Sequence, residues 1–276
     1  MINDIKLIAT DLDGTFFDDE RHVNFDKFDW VLEQLANQQQ RFVIATGNDK
    51  PKVDAFFSRF KGRFDYVVNN GAQVVTQNQT QIGLAALKQA QLTQLTNFLK
   101  QQQFQWEQGL IFNGLSQTYM LEDDRDIGHL QAETAWYYPN LTYIAALENI
   151  PATEQIIKVT FSLMTKQVPE LIEKINQEFG DDLHVTTSGH GSIDIMLGGA
   201  NKANGLQLLL NHYALNASQL MVFGDGLNDL EMMQLAEFPH AMPNGDAYLL
   251  ERFPKASASN NDDGVLDTII NKLELK

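Results

Sequence analysis

Short apolar runs alternate with longer, helically periodic stretches at both ends of the chain. Apolar residues crowd positions 5–10 (Ile5, Leu7, Ile8, Ala9), 41–46 (Phe42, Val43, Ile44, Ala45) and 66–69 (Tyr66, Val67, Val68). Runs this short with few polar interruptions predict buried strands. Between the first two, Phe28, Val31, Leu32 and Leu35 recur at helical spacing, which predicts a helix over 25–39. Strand, helix and strand in that order predict a parallel sheet. The rhythm returns late, with a helix expected over 202–213, a strand over 220–223 and a further helix starting in 229–235.

The middle of the chain has a different pattern. Residues 84–103 read as a Gln-rich amphipathic helix, and strand-like runs at 156–164 and 193–197 flank a helical stretch at 169–179. Gly83, Gly180 and the cluster 188–192 punctuate it. The expectation is a discontinuous α/β core, 1–80 and 194–276, interrupted by an inserted α+β domain, 81–193.

Composition narrows the function classes. Of 276 residues, 43% are hydrophobic and 20% charged, which is ordinary for a globular chain and outside the disordered range. Lys and Arg number 20 against 36 Asp and Glu, so the net charge of -16 opposes binding to nucleic acid or an anionic membrane. The absence of cysteine removes disulfides, thiolate zinc sites and cysteine nucleophiles together. Asp4 ahead of a short apolar run does not read as a secretory signal, and no uninterrupted run of about 18 apolar residues predicts a spanning helix. A soluble, cytoplasmic protein is expected.

The candidate chemistry sits at strand ends. Asp11-Leu12-Asp13-Gly14-Thr15 follows the first strand, and residues two apart on an extended chain point to one side, so Asp11 and Asp13 aim into the crevice together. Two such carboxylates are tolerated around a hard cation or as an acid–base pair; alternatively the segment is a plain Asp-Gly turn. Gly14 permits a sharp turn and Thr15 can offer its hydroxyl or N–H to an anion. Gly224-Asp225-Gly226-Leu227-Asn228-Asp229 follows the 220–223 strand. Its Gly-x-Gly start invites a dinucleotide fingerprint, but Asp229 stands where the third glycine belongs. Asp225 and Asp229 suit metal coordination, with helix N-capping as the competing reading.

Thr46-Gly47-Asn48, at the end of the second strand, can present a hydroxyl and N–H groups to a phosphate. Lys202 opens a helix, where the dipole opposes a cation unless an anion lies beside it. Asn69-Asn70-Gly71-Ala72 forms a loop with room for a positive φ at Gly71. His22, His129, His184, His190, His212 and His240 show no zinc-protease spacing, and neither a Walker A lysine nor a Gly-x-Ser-x-Gly elbow occurs. Trp136-Tyr137-Tyr138 reads as core packing, with a pocket lining as the alternative.

In order, Asp11-Leu12-Asp13-Gly14-Thr15, Thr46-Gly47, Lys202 and Gly224-Asp225-Gly226-Leu227-Asn228-Asp229 resemble the four motifs of the haloacid dehalogenase superfamily. The long insertion between the second and third motifs, Asn70-Gly71-Ala72, and the tail Asn260-Asn261-Asp262-Asp263-Gly264-Val265 resemble its Cof-like phosphatases with a type IIB cap. The resemblance implies a Rossmann-like parallel-sheet core with an inserted α+β cap closing over it, and a phosphatase acting on small phosphorylated metabolites such as sugar phosphates or phosphorylated cofactors. It implies Asp11 as a nucleophile that forms an aspartyl-phosphate and Asp13 as general acid and base. Mg²⁺ would be held by Asp11, the Asp13 carbonyl and Asp225, with Asp229 supporting the metal shell. Thr46, the Gly47 and Leu12 N–H groups, Lys202 and Asn228 would hold the phosphoryl oxygens. His190, in the turn Ser188-Gly189-His190-Gly191-Ser192, is the candidate for contacting the leaving group.

One departure stands out: where relatives often carry Arg after Thr-Gly, this chain has Asn48. Two alternatives compete with hydrolysis, a phosphometabolite-binding regulatory protein without turnover and a sugar phosphomutase. An acidic protein that binds an anionic substrate must reverse its own potential locally, so strong dependence on Mg²⁺ is expected.

Overall fold

The apolar run that opens the chain forms β1 (Leu7–Thr10), all four residues of which are buried. The computed structural model describes residues 4–130, 134, 138, 140–189 and 191–276. The chain divides into two compact units, one made of Met1–Leu84 with Asn201–Lys276 and the other of Ala85–Ala200.

In the first unit, β1 is followed by helix α1 (Phe25–Asn37), which turns Phe28, Val31, Leu32 and Leu35 inward and is capped by Asn24 accepting from the Lys27 N–H. β2 (Arg41–Ala45), helix α2 (Lys50–Phe56) and β3 (Asp65–Val68) continue the alternation. The late segment adds β12 (Leu220–Gly224) and β13 (Phe238–Ala241). These five strands are parallel, in the order β13-β12-β1-β2-β3. The chain leaves β1 toward β2 and returns later on its other side, so a topological switch point lies between β1 and β12. In open α/β sheets that crevice, at the carboxyl ends of the strands, is where ligands bind.

Two short antiparallel strands, β4 (Gln73–Val75) and β5 (Gln81–Leu84), extend the sheet beyond β3. The helix expected to begin at residue 84 therefore begins later, as α3 (Gln89–Lys100), because Leu84 pairs with Gln73 at a strand end. A phenylalanine-rich core fills one side of the sheet, where Phe28 packs within 5.0 Å of Phe16 and 5.1 Å of Phe42 between ring centroids.

The second unit is a six-stranded sheet in the order β10-β11-β9-β6-β7-β8, formed by β6 (Trp106–Gly114), β7 (Thr118–Leu121), β8 (Leu141–Ile144), β9 (Ile156–Leu163), β10 (Leu183–Gly189) and β11 (Ser192–Leu197). All pairings are antiparallel except β7 with β8. Leu92, Leu95 and Leu99 of α3, and Leu171 and Ile175 of α4 (Val168–Phe179), join its apolar core. The seams fall after Leu84 and after Ala200 rather than at 80/81 and 193/194. The reason is local: β5 belongs to the first sheet, whereas β11 continues through Leu197 in the second. Trp136, Tyr137 and His190 lie outside the described residues. No helix among the described residues is long and apolar enough to cross a membrane.

Candidate active site

The ends of β1 and β12 deliver two acidic loops to the switch point. Asp11 leaves β1 with its N–H donating to the Phe223 carbonyl of β12 at 3.1 Å, so the two strand ends are locked in register where they splay. Gly14 then takes φ +73°, and a Cβ there would lie 2.4 Å from the Asp225 carboxylate. The glycine thus serves both the turn and the close approach of the second loop. Thr15 closes the gap differently from expectation. Its hydroxyl donates to Asp225 Oδ1 at 2.6 Å and its N–H to the Leu12 carbonyl at 3.2 Å, so both groups are spent within the protein rather than offered to an anion.

Lys202 begins α5 (Lys202–His212) and is fully buried. Its ammonium lies 3.0 Å from Asp11 Oδ1 and 2.6 Å from Asp229 Oδ1, and these carboxylates supply the negative charge that its helix-start position calls for. Asp229 is committed on both oxygens, since Oδ2 accepts from the Asp225 and Gly226 N–H groups at 2.9 and 3.0 Å. Asp11 is committed on one: among the described residues no hydrogen bond engages its Oδ2.

Oxygens of Asp11, Asp225 and Asp229 lie within 4.8 Å of one another, and no second group of this kind occurs among the described residues. Three carboxylates against one lysine leave a surplus of negative charge. Burial pushes the Asp11 carboxyl well above its ordinary range; Lys202 opposes this, while Asp229, Asp225 and Asp13 add to it. Asp225 is pushed up to about 6, first by burial and then by Asp229, with the Thr15 hydroxyl opposing. Burial alone would lower the Lys202 ammonium, but Asp11 and Asp229 outweigh it and hold the lysine charged. An all-oxygen donor set with excess negative charge fits a hard divalent cation such as Mg²⁺.

The remaining expected residues surround this cluster within the same unit. The Asp13 side chain is exposed, and its Oδ2 accepts from Asn48 Nδ2 at 2.8 Å. The Leu12 side chain is buried, and among the described residues its N–H has no acceptor. Thr46 is buried at the end of β2, and Gly47 follows it facing Asn70, whose amide would lie 3.2 Å from a Cβ at Gly47. Asn228 donates to Asn70 Oδ1 at 3.4 Å. Asn69, Asn70 and Gly71 take φ of 51°, 52° and 90°, so the positive φ expected at Gly71 extends over three residues. Two asparagines in the left-handed region are strained, and strain of this sort concentrates at functional sites.

The loop after β13, by contrast, carried no readable signal. Asn244 donates to the Gly14 carbonyl at 2.7 Å and the Asp246 N–H to the Asp225 carbonyl at 2.7 Å, so one loop holds both acidic turns.

A model of the haloacid dehalogenase-like hydrolases matches residues 8–269. The chain belongs to that family. It is 32% identical over 265 residues to 5-amino-6-(5-phospho-D-ribitylamino)uracil phosphatase YbjI of Escherichia coli (strain K12), covering 96% of this chain and 95% of that protein. The structure of SMU.1108c from Streptococcus mutans UA159 superimposes with a TM-score of 0.89 at 27% identity, over 98% of this chain and 99% of the other. The haloacid dehalogenase subclass IIB sugar phosphatase BT4131 shares the fold, with a TM-score of 0.78 at 18% identity over 98% of this chain and 100% of that one. In this member of the family, Asp11, Lys202, Asp225 and Asp229 converge at the carboxyl ends of β1 and β12.

Proposed function

We propose that this chain is a Mg²⁺-dependent phosphatase that hydrolyses small phosphomonoesters through an aspartyl-phosphate on Asp11. The observation that carries the reading is the asymmetry of the Asp11 carboxylate, anchored by Lys202 through Oδ1 at 3.0 Å and left without a hydrogen bond at Oδ2 among the described residues. A buried carboxylate with one oxygen fixed and one available is an oriented nucleophile. The relative acting on a phosphorylated ribitylaminouracil makes that compound and simple sugar phosphates the first substrates to test.

In the first step, Asp11 Oδ2 attacks phosphorus in line with the ester oxygen, the P–O ester bond breaks, and Asp13 gives its proton to the departing alkoxide. In the second, Asp13 takes a proton from water, the water oxygen attacks phosphorus, and the Asp11 acyl-phosphate bond breaks, releasing inorganic phosphate and restoring both carboxyls. Lys202, Thr46, Asn228 and the Leu12 and Gly47 N–H groups hold the phosphoryl oxygens. The Asp11 and Asp225 side chains, with the Asp13 carbonyl, would hold Mg²⁺, and Asp229 keeps Lys202 and the Asp225 loop in place. The chemistry a bound Mg²⁺ supplies is positive charge that offsets repulsion between carboxylate and phosphate. Because Lys202 serves both Asp11 and Asp229, charge at the nucleophile is set by residues already in place before substrate arrives.

The deciding experiment measures phosphate released from a panel of phosphomonoesters with Mg²⁺ and with EDTA, for the parent and for Asp11→Asn. Turnover that survives both metal removal and the substitution defeats the proposal. Formation of an isomeric sugar phosphate in place of free phosphate would mark a phosphomutase instead.

A further inference from the structure

The departure from the family pattern at position 48 has its own geometry. Asn48 lies half-buried just after β2. Its main chain is already occupied: the N–H donates to Thr46 Oγ1 at 3.2 Å, and the carbonyl accepts from the Asn69 N–H at 2.9 Å. The turn is therefore closed without the side chain. Two donors remain on the amide nitrogen, and both are used, one on Asp13 Oδ2 at 2.8 Å and one on Thr46 Oγ1 at 3.1 Å. A carboxyl oxygen that carries no proton only accepts, so with Asp13 Oδ2 facing the amide it is the NH₂ that turns to Asp13.

The consequence for Thr46 follows from its hydroxyl inventory. One oxygen has two acceptor positions and one proton. Asn48 fills both acceptor positions, through its N–H and its Nδ2. The hydroxyl proton is left to point elsewhere, and no acceptor for it occurs among the described residues. Thr46 is thereby set as a donor, the state an anionic phosphoryl oxygen requires.

We infer that Asn48 is a positioning residue, which links Asp13 to Thr46 through one amide group and fixes the direction of both before substrate binds. The inference rests on the phosphatase reading. A neutral amide performs this task at 2.8 Å from Asp13 without adding charge at a site where Lys202 is already held by two carboxylates. Asn48 touches neither substrate nor metal in this account and acts through Asp13 and Thr46.

The test is steady-state hydrolysis by the full chain with Mg²⁺, using the best substrate of the panel, for Asn48→Ala, Asn48→Asp and Asn48→Gln beside the parent and Asp11→Asn. Asn48→Ala should lower kcat by about 30-fold with KM changed by no more than about 3-fold, since geometry at the reacting groups is lost while phosphate binding largely persists. Asn48→Asp keeps the shape but removes the donor and opposes Asp13 with a second carboxylate, so its kcat should fall below that of Asn48→Ala. Asn48→Gln keeps the donor and should recover to within about 5-fold of the parent. A role in shape alone would reverse the order of Asp and Ala. An Asn48→Ala enzyme with parental kcat, or an Asn48→Asp enzyme faster than Asn48→Ala, overturns the inference. If the parent itself releases no phosphate, or Asp11→Asn is as active as the parent, the phosphatase reading fails instead.

Discussion

Each unit of the molecule buries a lysine against aspartate, and the two arrangements differ in charge count. In the second unit, Lys158 on β9 is 7% exposed and meets Asp194 of β11 at 3.4 Å. Thr160 donates to Asp194 Oδ1 at 2.7 Å, and Asn113 of β6 donates to Thr160 at 3.2 Å, so the pair is stitched across three strands. In the first unit, Lys202 is fully buried against Asp11 and Asp229, with Asp225 completing a group of three carboxylates. Burying an ion costs several kcal/mol, which one well-placed partner offsets. A second and third carboxylate add repulsion to the burial that chiefly raises Asp11 and Asp225, and fold stability gives no reason to keep them. The contrast teaches that charge imbalance, rather than burial of charge, sets the proposed reactive site apart.

The largest expected effect breaks the contrast directly. Lys202→Ala leaves two buried carboxylates unopposed at the proposed nucleophile and should lower kcat/KM by roughly 10³-fold or more. Lys158→Ala should leave kcat per folded molecule near that of the parent. Phosphate release normalised to the folded fraction, taken from circular dichroism, checks both. Equal losses in the two variants would erase the functional distinction between the clusters.

Stability should rank them in another way. Lys158→Met takes the paired cation away from Asp194 and should cost about 3 kcal/mol or more in urea unfolding, whereas Lys158→Met with Asp194→Leu should recover most of that loss, because an apolar pair replaces a buried ion pair at little cost. If the double variant is no better than the single, the pair contributes something beyond mutual neutralisation.

A third measurement addresses the surplus charge. At a free Mg²⁺ concentration about 100 times the dissociation constant, binding to the folded state alone should add about 2.7 kcal/mol of stability. Asp225→Asn should abolish that gain and Asp194→Asn should keep it, as read from the midpoint of thermal unfolding with Mg²⁺ and with EDTA. A Mg²⁺ shift that persists in Asp225→Asn would move the metal away from the three-carboxylate group.

Much of this arrangement was legible in the chain and some was not, for identifiable reasons. Asp11 and Asp225 could be placed because each ends a short apolar run, and strand ends at a switch point are where ligands bind. Lys202 could be placed at a helix start, but not its partners, since Asp11 is distant in sequence and only the assembled fold brings it near. β6 carries no strand pattern because Glu107, Gln108, Gly109 and Asn113 break up its apolar positions, and its pairing with β9 and β7 stabilises what local pattern does not. The helical expectation at residue 84 fails for a similar reason: β5 is short and half-buried, so its pairing with β4 decides its state. The Asn48 bridge joins residues 35 apart and depends on side-chain direction, which no periodicity encodes.

A third way of burying an ionisable group sharpens the comparison and makes the smallest prediction. His240 on β13 is 5% exposed, stacked on Phe223 with ring centroids 5.1 Å apart and with Nδ1 3.1 Å from the Phe238 carbonyl. With no carboxylate beside it among the described residues, it stays neutral: burial first, and the Lys272 ammonium second, push it down from 6.5 to about 4. Between those values the unfolded chain binds more protons than the folded one. The stabilising contribution is therefore complete above the unfolded value and is lost as pH falls toward the folded value. Between about pH 7.5 and pH 5 the loss should be about 2 kcal/mol. His240→Phe keeps the stack and removes the titration, so its urea-unfolding free energy should fall less than that of the parent over the same interval. Parallel falls in parent and variant would mean that His240 carries no such penalty, and that neutrality is not how this buried ring avoids the cost that Lys158 and Lys202 avoid by pairing.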